Sequence, residues 1–91
     1  MKVYEMDFET NITVITAQDY MDEVDYTEDD LKYDWGQVYK HYVRAQIVTA
    51  TYCMRLFAPI KGSNANSLQQ AINAVMQELL KDYNAHMRKV K

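Results

Sequence analysis

Three polar residues in the last part of the chain belong to types that bind metal ions. Glu78, Asp82 and His86 are spaced four residues apart, so in a helix their side chains share one face. Carboxylate and imidazole groups ligate divalent cations. A specific site, however, needs a closer and mutually supporting ligand set than three groups on an open helix. A solvated polar face is therefore the favoured interpretation, and we predict no metal site.

Cys53 is the only cysteine, and Arg55 shares its face if the segment is a strand. A neighbouring cation can activate a thiol as a nucleophile. However, neither histidine is near Cys53 in sequence, and no serine or cysteine pairs recognisably with a base. The two glycines, Gly36 and Gly62, do not form a phosphate-binding loop. The sequence therefore predicts a protein that is not an enzyme, with no catalytic residues and no cofactor.

The strongest pattern is an acidic stretch over residues 19–34, in which half of the sixteen positions are carboxylates. Lys32 is its only cation, and tyrosines lie between the acids. Aromatic side chains among charges supply the anchoring area that protein interfaces need. We predict that the stretch binds a partner protein. The predicted contact residues are Asp19, Tyr20, Asp22, Glu23, Asp25, Tyr26, Glu28, Asp29, Asp30, Tyr33 and Asp34.

Helix capping accounts for only half of these acids. Thr16 and Thr27 each precede an aspartate by three residues, as at the start of a helix, and acids in a first helical turn are stabilised by the helix dipole. The other four acids only add repulsion between like charges, which destabilises the folded protein. Such repulsion is tolerated when the negative surface attracts a positively charged partner. These four are Asp22, Glu23, Asp25 and Asp34. A solvated surface and a binding surface are weighted equally.

The two halves of the chain carry opposite charge. Residues 1–34 contain eleven acids and two lysines, a net charge of −9, and residues 35–91 contain two acids and eight Lys or Arg, a net charge of +6, which together give −3. Such a division of charge indicates how the protein attracts or repels partners, and it does not indicate the fold. The alternative to a partner is neutralisation within the chain or across a dimer, by Arg44, Arg55 or Lys81.

Length and composition predict a single globular domain over residues 1–91. The chain is 48% hydrophobic and 25% charged, as in ordinary globular proteins. No apolar run approaches the roughly 18 residues of a membrane span. The N-terminal residues alternate with acids, unlike a signal peptide. One cysteine fits a reducing compartment, so we expect a cytoplasmic protein without membrane contact.

In the first half, the pattern predicts a strand and two helices. Apolar and polar residues alternate over residues 2–16, as in a strand with one buried face. A hairpin that turns at Thr10 and Asn11 is the alternative, and a single strand is preferred because the alternation continues across these residues. A short helix or turn is predicted over residues 18–24. A longer helix is predicted from Glu28 to about Arg44, with Leu31, Trp35 and Val38 on one face. Gly36 inside this helix costs about 1 kcal/mol relative to alanine.

Residues 46–57 allow two interpretations. A heptad spacing that begins at Leu31 continues to Leu56, which would make the segment helical. It also alternates in polarity and is rich in β-branched and aromatic residues, which favours a strand. We predict a strand.

A loop and a final helix complete the chain. Pro59, Gly62 and the residues around them indicate the loop. Ser67 and Gln70 have the spacing of a capping box, so we predict a helix from Ser67 to about Arg88.

The predicted fold class is α+β, in the order strand, short helix, helix, strand, helix. Two amphipathic antiparallel strands would form the sheet, with the helices on one face. An isolated pair of strands is marginally stable, and exposed sheet edges are rarely left bare. We therefore predict a homodimer in which a second copy extends the sheet.

A short, acidic, single-domain chain without catalytic motifs resembles the small inhibitors that phages and mobile elements encode, including anti-restriction and anti-CRISPR proteins. The resemblance covers size, charge and the absence of catalytic motifs, and it transfers no residue role. It implies a non-enzymatic inhibitor that mimics nucleic acid. The partner would be a larger protein with a basic groove, to which the inhibitor offers its acidic, tyrosine-rich surface.

The alternative is a dimeric regulator that binds nucleic acid through the basic half of the chain. Clustered cations are the usual footprint of such proteins. Here the Lys and Arg residues are spread over several predicted elements, so nucleic acid is the less favoured partner.

Overall fold

A computed structural model of the chain describes residues 8–49 and 52–89. Over these residues the protein is a small α+β domain with three antiparallel strands and three helices. The elements in chain order are β1 (Phe8–Thr16), α1 (Ala17–Val24), α2 (Glu28–Trp35), β2 (His41–Thr49), β3 (Cys53–Pro59) and α3 (Ala65–Lys89). The sheet order is β1-β2-β3, so β2 is central. Residues 2–7 of the predicted first strand lie outside the described residues.

Two short helices connect β1 to β2, and both begin at the threonines predicted as caps. The Thr16 hydroxyl accepts a hydrogen bond from the backbone N–H of Asp19 (3.1 Å). The Thr27 hydroxyl likewise accepts from the Asp30 N–H (3.3 Å), while the Asp30 carboxylate accepts the Thr27 N–H (2.8 Å). This reciprocal arrangement is a capping box. The helix alternative over residues 18–24 and the predicted helix start at Glu28 are confirmed.

The prediction that the second helix continues to about Arg44 is wrong. Gly36 adopts a left-handed conformation with φ of 84° and donates its N–H to the Lys32 carbonyl (2.8 Å), which ends α2 at Trp35. Glycine takes this conformation without steric cost because it has no Cβ. The residue that seemed to weaken a long helix therefore terminates a short one.

The prediction of one strand over residues 46–57 is also wrong, because the segment contains parts of two strands. β2 and β3 pair antiparallel, with Ala45 opposite Leu56 and Val48 opposite Cys53. Their connection runs through residues 50–51, outside the described residues. The alternation in the sequence is correct for β3, whose Met54 and Leu56 face α3. Val48 lies on the other face of β2, since side chains alternate along a strand.

The long helix α3 begins two residues earlier than predicted. The Asn64 side-chain oxygen accepts hydrogen bonds from the backbone N–H of Ser67 (2.9 Å) and from its hydroxyl (3.0 Å). Asn64 therefore caps the helix, and Ser67 lies within its first turn. The existence and approximate length of this helix are confirmed.

Helices pack on both faces of the sheet, which corrects the prediction that they share one face. On one face, Val43 and Ile47 of β2 are buried with Leu79 of α3. On the other face, Tyr42 of β2 is buried with Tyr20 of α1. Neighbouring residues of β2 thus enter opposite cores, and the sheet forms the middle layer.

Candidate protein-binding surface

The predicted partner-binding residues lie on α1, α2 and the turn between the helices. Asp25 ends α1 in a left-handed conformation with φ of 58°, which aspartate tolerates better than most residues. The N–H groups of Asp25 and Tyr26 both reach the Met21 carbonyl, and α2 begins three residues after Asp25. Both helices contribute to one buried cluster, through Tyr20 and Leu31, so they lie on the same face of the sheet.

We use the term acidic surface for the exposed carboxylates and tyrosines of this unit. Its members are Asp19, Asp22, Asp25, Tyr26, Glu28, Asp29, Asp30, Tyr33 and Asp34. Nine of the eleven predicted contact residues therefore share this surface, and the other two, Tyr20 and Glu23, have different environments.

The carboxylates of the acidic surface are almost unneutralised. Within the described part of the chain, the ion pair on this surface joins Glu28 to Lys32 at 3.5 Å, and both side chains are more than half exposed. A pair of this kind contributes little and is screened by salt. Among the described residues, the other carboxylates of this surface have no cation within 4.0 Å. The surface therefore keeps a strong negative charge.

Two tyrosines give this surface apolar contact area. Tyr33 is 90% exposed on α2, and Tyr26 is 37% exposed in the turn. The Asp34 carboxylate raises the pKa of Tyr26 by hydrogen bonding to the neutral phenol and by repelling the phenolate. The Tyr26 ring packs edge-on against Tyr20 at a centroid distance of 6.2 Å, whereas Tyr33 projects into solvent.

Glu23 differs from the other acids because the chain neutralises it. Its carboxylate lies 2.6 Å from Arg44 Nη1 on β2 and 2.9 Å from Arg55 Nη1 on β3, and its side chain is 21% exposed, although the residue as a whole is exposed. These contacts tie α1 to two strands across the sheet face. Neutralisation by Arg44 and Arg55, the alternative to a partner that the sequence allowed, applies in the structure to Glu23. This residue is part of the scaffold rather than of the acidic surface.

Tyr20 also lies away from the predicted surface, because it is 5% exposed and belongs to the core. Its ring stacks on Tyr42 at a centroid distance of 4.6 Å and contacts Phe57 at 4.7 Å. Burial raises the pKa of Tyr20. The Trp35 indole N–H faces the hydroxyl without completing a hydrogen bond of standard geometry, and it opposes this rise by a smaller amount. The sequence did not distinguish Tyr20 from Tyr33, since both are tyrosines flanked by acids.

The residues of metal-binding type do not converge. Within residues 8–49 and 52–89, no three His, Cys, Asp or Glu side chains form a group that could hold an ion. His86 instead stacks on Tyr52 at a centroid distance of 4.2 Å. Cys53 is a free, exposed thiol at the start of β3.

A groove of about 480 Å³ runs between β3 and the N-terminal half of α3. Its lining is mainly apolar and includes Leu56, Ala58, Ala71 and Val75, with Trp35 at one side. This volume lies in the range of small-molecule sites. The groove offers apolar contact and no evident pairing of nucleophile and base among its lining residues.

Comparison of the chain with protein-family models, with curated protein sequences and with solved structures finds no match. Among the helices that the structure describes, none combines the length and the apolar character needed to cross a bilayer.

Proposed function

We propose that the protein is a small, non-enzymatic inhibitor that presents its acidic surface to a basic groove on a larger protein. In this proposal it competes with nucleic acid for the groove, as anti-restriction and anti-CRISPR inhibitors of phages and mobile elements do. The observation that carries the proposal is the contrast among the acids. Glu23 is neutralised by two arginines, whereas the surrounding carboxylates remain exposed beside Tyr33.

The exposed charge is costly to the free protein, because like charges on one surface repel each other and destabilise the compact state. A basic groove would relieve this repulsion and accelerate association through the attraction of opposite fields. Tyr33 and Tyr26 would supply the anchors that such interfaces usually contain. The rest of the surface would give charge complementarity rather than most of the binding energy.

The proposal is tested by removing charge from the acidic surface without changing its shape. Asp22→Asn, Asp25→Asn and Asp29→Asn together remove three negative charges, and asparagine suits the left-handed conformation of position 25. The matched control adds three positive charges at exposed positions of α3, as Asn73→Lys, Gln77→Lys and Asn84→Lys. Both variants shift the net charge by the same amount. Only the first changes the acidic surface.

The measurement is capture from a lysate of the native host on each immobilised protein, followed by calorimetry with the purified captured protein. We expect a basic protein that binds the wild-type chain and the α3 control, is displaced by excess duplex DNA, and binds the triple Asn variant at least tenfold more weakly. Equal affinity for the triple variant, or the absence of any protein that discriminates it, contradicts the proposal.

The alternative, a dimeric nucleic-acid-binding regulator, stays a prediction with weaker support. Arg44 and Arg55 are both held by Glu23, which lowers the charge available to phosphates. Nucleic-acid binding through the remaining cations would weaken steeply with salt. Fluorescence anisotropy with labelled DNA and RNA at low salt tests it, and it is wrong if neither binds.

The homodimer also stays a proposal, but its original reason is weaker. A three-stranded sheet packed on both faces is more stable than the two-stranded sheet predicted from the sequence. Support for a homodimer must therefore come from the edges of the sheet.

A further inference from the structure

Among the residues that the structure describes, no strand pairs with the outer edge of β1. The N–H of Ala17 bonds to the carbonyl of Lys40 (3.0 Å), and residues that bond to a neighbouring strand alternate with residues that point away. In the β1–β2 register the odd-numbered residues of β1 therefore bond to β2. The N–H and C=O groups of Thr10, Ile12 and Val14 point away from the sheet, and among the described strands only β2 pairs with β1.

The other edge of the sheet is protected. The bonds from Ile60 to His41 and from Thr49 to Tyr52 show that the even-numbered residues of β3 face β2. Its odd-numbered residues point outward, and Pro59 is one of them. Proline has no N–H to offer and Arg55 carries a charge, and both features discourage the addition of a further strand.

Two apolar side chains of β1, on the face that the alternation predicted to be buried, are largely exposed. Ile12 is 44% exposed and Val14 is 48% exposed. Ile12 lies opposite Ala45 in the register, so it is on the face that α3 covers. The helix packs on β2 and β3, which leaves these two apolar side chains beside it in solvent.

We propose that β1 pairs antiparallel with β1 of a second copy of the chain, giving a continuous six-stranded sheet. With Ile12 at the two-fold axis, all nine residues of the described strand overlap their counterparts. Ile12 then meets its own copy and Val14 lies opposite Thr10. This interface goes beyond the proposed function, since the acidic surface lies on other elements and neither surface needs the other.

The centre of this edge carries no charge that would oppose a second copy, and Glu9 would lie opposite the uncharged Ile15 of the second copy. Residues 10–16 contain no charged side chain, so two copies meet without like charges at the centre. The acidic helices begin directly after Thr16, at the outer end of each strand. Thr16 is four residues from the axis, so at about 3.3 Å per residue the two helix starts are about 26 Å apart. This separation exceeds the Debye length of about 8 Å at physiological ionic strength, so the two acidic surfaces repel each other weakly.

The test is the mass in solution, measured by light scattering and sedimentation over the micromolar range. We expect twice the chain mass of 10.7 kDa for the wild type. Ile12→Lys places like charges at the axis, and Val14→Pro removes an outward N–H without breaking a bond to β2. Each should raise the dimer dissociation constant at least tenfold. The matched control is Leu80→Lys on α3, where the side chain is 42% exposed, and it should remain dimeric.

Amide hydrogen exchange distinguishes loss of the dimer from loss of the fold. In the wild-type dimer the amides of Ile12 and Val14 should exchange slowly, and in folded, monomeric Ile12→Lys the amide of Val14 should exchange rapidly. Three results overturn the proposal. These are a monomeric wild type, dimers in both β1 variants, or dissociation by Leu80→Lys equal to that by Ile12→Lys.

Discussion

The two faces of the sheet have cores of different chemistry. Beneath α3 the fully buried side chains are aliphatic, among them Val43, Ile47 and Leu79. Beneath α1 and α2 the core combines aliphatic side chains with a group of aromatic rings around Tyr42, whose ring lies 4.6 Å from Tyr20 and 6.4 Å from Trp35. One face thus holds a helix of 25 residues, and the other holds two helices of eight residues each.

This difference shows how each layer is stabilised. A helix of eight residues is unstable alone in water, because few hydrogen bonds offset the cost of nucleation. α1 and α2 therefore depend on their threonine caps, on ring packing and on the contact of Glu23 with the sheet. α3 depends on aliphatic burial along its length. The acidic surface therefore lies on the α1 and α2 layer, which a few specific contacts stabilise.

Truncation of a buried aromatic ring should lower the free energy of unfolding the most. Tyr42 is fully buried, so Tyr42→Ala should lower the free energy of unfolding by about 3–5 kcal/mol, and Leu79→Ala in the other core by about 2–5 kcal/mol. We expect Tyr42→Ala to accelerate amide exchange chiefly in α1 and α2, and Leu79→Ala chiefly in α3. Equal acceleration in all helices by both variants would show that the two cores open as one unit.

Loss of the Glu23 charge should lower the free energy of unfolding by an intermediate amount. Glu23→Gln weakens two hydrogen bonds to arginine, and because Arg55 is 44% exposed we expect a cost of only about 1–2 kcal/mol. Glu28→Gln is the matched control, since its pair with Lys32 is exposed and should be worth less than about 0.5 kcal/mol. Urea unfolding measures both. A cost for Glu28→Gln as large as that for Glu23→Gln would remove the distinction between scaffold and surface carboxylates.

Removal of a cap should cost about 1 kcal/mol. Thr27→Ala deletes the hydroxyl that accepts the Asp30 N–H, so α2 should lose helicity at its start. Thr27→Ser retains the hydroxyl and serves as the control. Thermal unfolding followed by circular dichroism compares them, and equal midpoints for Thr27→Ala and Thr27→Ser would indicate that α2 does not depend on its cap.

High pH should destabilise the aromatic core. Burial raises the pKa of Tyr20 above the ordinary value of 10.0, so the unfolded chain releases this proton at a lower pH than the folded protein does. The contribution of neutral Tyr20 is complete below about pH 10 and is lost as the pH rises further. In urea titrations at pH 9 and pH 11, Tyr20→Phe should lose less stability than the wild type. An equal loss would show that other groups cause the alkaline destabilisation.

Local patterns predicted the local structure. The threonine caps, the start of α2 and the existence of α3 follow from side chains within three or four residues of each other, which sequence alone displays. The end of α2 was missed because Gly36 can weaken a helix or terminate it, and tertiary packing decides between these outcomes. The β2–β3 hairpin was missed because residues 50–51, Ala-Thr, carry no glycine, asparagine or aspartate to indicate a turn.

The exposure of nine predicted contact residues agrees with the sequence interpretation, the environments of two differ, and their binding of a partner stays a prediction. Acidity and the presence of tyrosine are properties of composition, so the location of the surface could be predicted. Burial of Tyr20 depends on Tyr42 and Phe57, which lie 22 and 37 residues further along the chain. The environment of Glu23 depends on two strands in the same way. Such long-range contacts leave no signal in the stretch itself.

The acidic helices occupy the connection between two neighbouring antiparallel strands. Its two ends lie side by side, joined by the bond from Ala17 to Lys40, and the strands pair next to each other from Thr16 and His41 onward. The hydrogen bonds between β1 and β2 therefore constrain only the two ends of the connection. The entropic cost of closing such a loop rises slowly with its length. Over evolutionary time, this connection can vary in length and charge around its aromatic contacts while the sheet and α3 persist, so new surfaces can arise on an unchanged scaffold.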